Sequence, residues 1–243
     1  MKFIKYCVLL SGIALLMGGC VSKTSNNNEA KEEYGHTLED SIKSIEVEID
    51  SCRSQVSLLS DQVGVWMRDF TNVSKPREAG SYLIMSSWVN RYPLTSTGLV
   101  ARINDNGQFE LIAALSGGTF EAVSVQAPEE TAVSDNVPND QALNYRANGL
   151  NTVLFTGEKA DAIGELISDN ELNPLTLSFI QGNGKVVKTW KISSEYAKMI
   201  SYTWLLYSNK MALAKAQAKI PMLQEKIKIL RIHHNGMTQD KTE

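Results

Sequence analysis

Ten apolar residues between Leu38 and Phe70 constrain this chain more than any other feature: Leu38, Ile42, Ile45, Ile49, Cys52, Val56, Leu59, Val63, Trp66 and Phe70. Their spacing alternates four and three without a miss. That is the heptad seam of a coiled coil. A single helix cannot hide such a stripe from water, so the seam needs a second helix. The end of the chain supplies a matching one through Met199, Tyr202 or Thr203, Leu206, Asn209 or Lys210, Leu213, Ala216, Ile220, Leu223, Ile227 and Leu230. Folded antiparallel, a single register sets Phe70 opposite Met199, Val63 opposite Leu206, Val56 opposite Leu213 and Cys52 opposite Ala216. It continues through Ile49 with Ile220, Ile45 with Leu223, Ile42 with Ile227 and Leu38 with Leu230. Leu59 alone meets a polar position, which costs stability but fixes register.

Charge supports the same pairing. Residues 36–70 hold seven acidic and three basic side chains, and residues 195–232 hold seven basic and two acidic. Opposite charges beside the seam favour this partner and disfavour pairing of either helix with its own copy. The alternatives are a parallel homodimer through the first helix, which Ile42, Ile49, Val56 and Val63 would suit, and a dimer of hairpins forming a four-helix bundle. Pro221 lies inside the last helical pattern, whose register continues past it, so a kink is expected there rather than a stop.

Between the two helical stretches the period changes to that of strands. Tyr82 to Val89, Leu99 to Ile103, Phe109 to Leu115, Thr119 to Gln126, Leu143 to Arg146 and Thr152 to Thr156 read as β structure. Leu175 to Ile180 and Lys185 to Ile192 follow. Asn104-Asp105-Asn106-Gly107 and Gly182-Asn183-Gly184 are hairpin turns. Lys159 to Asp169 reads as one amphipathic helix with Ala162, Ile163, Leu166 and Ile167 inward. Residues 127–141 are a polar loop. The expected fold is therefore α+β: a mainly antiparallel β head with one helix, over 71–193, inserted between two long terminal helices, 37–70 and 194–232, that form an antiparallel coiled-coil stalk. A disordered tail is expected over 233–243.

The first twenty residues read as an address. Lys2 and Lys5 precede an apolar stretch from Cys7 to Met17 that is too short to span a membrane as a mature helix, and Gly18 and Gly19 lead into Cys20. This segment resembles the type II signal peptide of bacterial lipoproteins, with Leu16-Met17-Gly18-Gly19-Cys20 as its lipobox. The resemblance covers residues 1–20 only. It implies removal of residues 1–19, lipidation of Cys20 with diacylglycerol and a further acyl chain such as palmitate, and anchoring in the cell envelope. Several acyl chains anchor a protein durably. Val21, where aspartate signals retention in the inner membrane, points to the outer membrane facing the periplasm or the surface. Residues 20–36, rich in asparagine and serine at their start, read as a lipid-anchored tether.

The sequence offers little for catalysis. His36, His233 and His234 all lie outside the head, which excludes a Ser-His-Asp or Cys-His site there. Phosphate loops, dinucleotide fingerprints, nucleophile elbows and metal-ligand cysteine pairs are absent from the sequence. No cofactor or metal is therefore expected. Cys52, the one thiol left after processing, sits on the seam as a small apolar residue. A net charge of −3 gives no reason to expect nucleic acid. In the head Trp88, Tyr145 and Trp190 read as core, whereas Arg91, Tyr92 and Arg146 read as a contact surface. The resulting expectation is a non-enzymatic, membrane-anchored envelope lipoprotein presenting its head as an adaptor or binding module for another envelope protein. The alternative is capture of a small ligand or glycan for uptake.

Overall fold

The computed structural model describes residues 29–74, 80–140 and 142–239, with side chains over 38–74, 80–140 and 142–234. The lipobox, Cys20 and the polar run to Asn28 lie outside the described residues, as do 240–243 of the expected tail. The chain divides into two units, Met1–Ser44 and Ile45–Glu243, and all packing reported below belongs to the second.

The fold is mixed α and β. α1 spans Glu29–Met67 and is followed by β1 (Phe70–Ser74), β2 (Ser81–Met85), a 3-10 helix (Ser86–Arg91), β3 (Gly98–Asn104) and β4 (Phe109–Ser116). Next come β5 (Ala122–Gln126), β6 (Thr131–Val133), β7 (Asn144–Ala147), β8 (Leu150–Thr156) and α2 (Glu158–Asp169). β9 (Leu175–Ile180), β10 (Val186–Ile192) and α3 (Ser194–Gln239) close the chain.

The strands form two antiparallel sheets rather than the single one expected, ordered β1-β2-β3-β4-β8-β7 and β10-β9-β5-β6. β5 joins β9, not β4, because Gly117-Gly118 turns the chain out of the first sheet. Gly117 takes a positive φ of 77° there, open to glycine at no steric cost. The Asn104–Gly107 hairpin closes as its sequence predicts. Gly107 at φ 77° donates to the Asn104 carbonyl, and the Asn104 side chain accepts from the Gln108 N–H.

Several boundaries differ from the sequence reading. α1 begins at Glu29, not near Thr37, since Glu29-Ala30-Lys31-Glu32-Glu33 are strong helix formers with acids in the first turn. It ends at Met67, and Phe70 opens β1 instead of closing the helix, pairing with Met85 on β2. The strand expected through Val89 stops at Met85, where a 3-10 turn swings Trp88 inward. A short strand, β6, occupies the polar loop and pairs with β5. α3 continues beyond Ile232 to Gln239, a glycine at 236 being tolerated in a helix at about 1 kcal/mol.

Strand alternation makes the core. On β4 both faces are covered, so Phe109 to Leu115 are all buried. α2 turns Ala160, Ile163, Gly164, Leu166 and Ile167 inward. α3 lies along β3, and Leu206 packs with Ile103 and Phe70. Gly164 marks the tightest approach, because a methyl group there would stand 2.9 Å from Phe109 and 2.9 Å from Trp204. Two buried asparagines tie β7 and β8 to the segments before β5 and after β6. Asn151 accepts from the Phe120 N–H at 2.9 Å and donates to Asn144 at 2.8 Å, while Asn144 donates to the Val137 and Phe120 carbonyls.

From Ile45 onward α1 runs antiparallel beside α3. Trp66 meets Tyr202 edge-on at 5.0 Å between ring centroids, and Glu48 pairs with Lys219 at 2.5 Å. Ile45, Ile49 and Cys52 are buried on one helix, and Ala216, Leu223 and Ile227 on the other. α3 runs unbroken through Pro221.

Candidate contact surfaces

Arg91 and Tyr92 are placed by the turn after β2. Arg91 stacks on the Trp88 ring at 5.0 Å and pairs with Glu195 in the first turn of α3, where an acid also suits the helix dipole. Tyr92 is half-buried and precedes Pro93 through a cis peptide bond. Its hydroxyl accepts from Arg102 at 2.8 Å, and its ring meets Tyr82 edge-on. Arg91 and Tyr92 thus tie the 3-10 turn to α3 and to the first sheet, their polar groups spent on internal contacts.

Arg102 is the centre of that tie, and nothing in the sequence singled it out. It lies directly across β3 and β4 from Glu110, with Nε 2.5 Å from the carboxylate and side-chain exposures of 15% and 8%. Its guanidinium sits 4.4 Å from the Tyr82 ring centre. Asn104 donates to the other Glu110 oxygen at 2.9 Å. The signal was present, though faint: an arginine and a glutamate equidistant from a hairpin turn, in strands otherwise apolar.

Arg146 stands elsewhere, on β7, the terminal strand of the six-stranded sheet and three strands from β3. The structure does not bring it together with Arg91 and Tyr92. Its neighbours instead are Leu143 and Tyr145, each 42% exposed. Tyr145, expected in the core, is therefore on the surface, because β7 is the edge strand of its sheet, paired along its length with β8 and bridged on the other side at Asn144 to Asp140. Trp88 is buried as expected, and Trp190 is half-buried; both pack edge-on against Tyr196, at 4.7 and 4.9 Å. These rings fill one another's space and do not gather with Tyr145 around a cavity.

A groove of about 760 Å³ runs between α1 and α3 beside Pro221. Its walls mix Glu46, Asp50 and Glu225 with Arg53, Lys228 and Arg231, a balanced and solvated lining unlike the apolar walls of small-ligand sites. Among the described residues no three His, Cys, Asp or Glu side chains cluster to hold a metal, and no helix is long and apolar enough to cross a membrane. Cys52 is a free, buried thiol.

One pair of titrating groups is perturbed inside the head. The Tyr207 hydroxyl donates to Asp161 at 3.1 Å. Burial lifts the Asp161 carboxyl above its usual range, the tyrosine hydrogen bond opposes that rise, and Glu158 adds to it. Tyr207 is raised by burial and by the same carboxylate. The pair lies where α2 packs on α3, and it serves that contact.

Comparison with known proteins adds no relative: no family model matches the chain, and neither the curated proteins nor the solved structures contain a match.

Proposed function

We propose that this chain is a non-enzymatic bacterial envelope lipoprotein, anchored through lipidated Cys20, whose α1 and α3 pair as a coiled-coil stalk and whose β-rich head docks another envelope protein. The lipid anchor rests on Leu16-Met17-Gly18-Gly19-Cys20 and the basic, apolar segment before it. The outer membrane is the favoured location, from Val21. Supporting the stalk, Ile45, Ile49 and Cys52 of α1 and Ala216, Leu223 and Ile227 of α3 are buried and belong to neither of the apolar clusters that include the strands, while nearer the sheet Val63, Trp66 and Leu206 pack with Phe70 and Ile103. Two helices that bury their stripes on each other away from a sheet serve as a spacer more readily than as walls of an active site.

The observation that carries the docking role is the β7 edge. Tyr145 and Arg146 are exposed on opposite faces of β7, Leu143 is exposed just before it, and beyond the Asp140–Asn144 bridge the strand has an open flank among the described residues, a composition and position suited to a protein partner. Two measurements test the reading. Metabolic labelling with an alkyne-bearing palmitate should mark the chain and hold it in the membrane fraction, and Cys20→Ser should abolish both. Crosslinking and pull-down from the native envelope should recover a partner that Tyr145→Asp with Arg146→Glu loses. Unlabelled wild-type protein would end the anchor reading, and a partner retained by the double variant would end the role of β7.

A further inference from the structure

Both long helices carry a second apolar stripe that is exposed among the described residues. On α1 it is Val47, Leu58 and Val65, exposed at 65%, 59% and 58%. On α3 it is Met211, Met222 and Ile229, exposed at 52%, 72% and 49%. At about 100° per residue, each trio falls on one line down its helix. That line stands about 160° round from the buried residues on α1 and about 130° round on α3. The positions between include the small residues Ser51 and Ser54 on α1 and Ala218 on α3, all exposed, with Lys215 beside the α3 line. Small residues let another helix approach closely.

We infer that copies of this chain associate side by side through these stripes, α1 of one copy against α3 of the next, with their heads at the same end. Three features favour a second copy over a foreign partner. The first is height. Since Trp66 meets Tyr202 and Glu48 meets Lys219, Leu58 stands level with Met211, and Val47 with Met222, to within about 3 Å at 1.5 Å per residue. A neighbour standing the same way up brings its Met211 to Leu58 and its Met222 to Val47.

The second is charge. Glu46, Glu48 and Asp50 are engaged within the chain by Arg231, Lys219 and Arg53, whereas Asp61 flanks the outer α1 stripe and Lys215 and Lys226 flank the outer α3 stripe. Alternating α1 and α3 faces therefore attract, while like faces repel. The third is angle. A square four-helix dimer needs stripes about 90° apart on each helix, which these are not. Stripes nearly opposite each other give every helix two flanking neighbours, so the interface is head-to-tail and generates a ring or row of more than two copies. The inference rests on the observed pairing of α1 with α3 and not on the lipid anchor.

The test uses the full chain carrying a photoreactive side chain at Val47, co-expressed as two differently tagged copies. Irradiation should give a product bearing both tags, with the attachment mapped by mass spectrometry near Met222 of the other copy. Met211→Glu, which faces the acidic helix of the neighbour, should lower that yield at least about tenfold. Adding Leu58→Lys to Met211→Glu should restore it. Attachment to α1 of the other copy, to a different protein, or within a single chain only would overturn the inference. So would a reversed charge pair that fails to rescue while the far-ultraviolet circular dichroism of the variant matches wild type. Loss of membrane location in Cys20→Ser, read separately, would leave this result untouched.

Discussion

Replacing Glu110 with leucine isolates what the Arg102–Glu110 pair contributes. The two side chains are largely removed from water, and Arg102 also donates to the Tyr92 hydroxyl and lies over the ring faces of Tyr82 and Tyr92. Deleting the carboxylate takes a charge partner from this largely desolvated guanidinium, which costs about 3–5 kcal/mol. In a unit of this size, about 2–4 °C of Tm accompanies each kcal/mol, so Glu110→Leu should lower Tm by roughly 10 °C. Arg102→Met should cost a similar amount, because Glu110 would keep only the Asn104 amide. The double variant, Arg102→Met with Glu110→Leu, removes both charges and should recover most of the loss, to within about 1–2 kcal/mol of wild type. Urea unfolding of the four proteins, followed by circular dichroism, gives the cycle. Additive losses in the double variant would refute the reasoning, since they would mean that neither charge depends on the other.

Further outcomes follow from the packing. Gly164→Ala, a change that gains about 1 kcal/mol in an ordinary helix, should instead destabilise, by about 1–2 kcal/mol, because its methyl meets Phe109 and Trp204 at 2.9 Å; a rise in Tm would contradict the close approach. Asn151→Ala leaves the buried Phe120 N–H without its acceptor and should cost about 1–3 kcal/mol, read by urea unfolding. Asp161 titrates above its ordinary value in the fold, so between those two values the folded protein holds a proton that the unfolded chain has lost. Its contribution to stability therefore falls as pH rises through that window, and Asp161→Asn should flatten this part of a Tm-against-pH profile. An unchanged slope in that variant would remove Asp161 as its source.

The helices were legible because their seams repeat: Ile45, Ile49 and Cys52 on one side and Ala216, Leu223 and Ile227 on the other needed only periodicity to be found. β9 and its hairpin were legible for the same reason, with alternation and Gly184 marking the turn. The partition into two sheets was not, because β5 looks like any strand after a glycine turn and only its partner, β9, decides its sheet. β1 was hidden because the seam runs on to Phe70, which read as the end of the first helix although the ladder with β2 holds residues 70–74 extended. At the surface, Arg91 and Tyr92 were singled out by composition, yet their contacts to Glu195 and Arg102 lie 104 and 10 residues away. Tyr145 was taken for core because an aromatic on a strand usually is; an edge position, visible only in the strand order, puts it outside.

The measurement that tests the account most directly is crosslinking mass spectrometry of the intact chain in its native envelope. The account predicts links from residues 143–146, at and just before β7, to one reproducible envelope protein, alongside links within the chain joining residues 45–52 to 216–227. A head that links to nothing under several crosslinker chemistries, or residues 45–52 that link to 216–227 only between different chains, would contradict it.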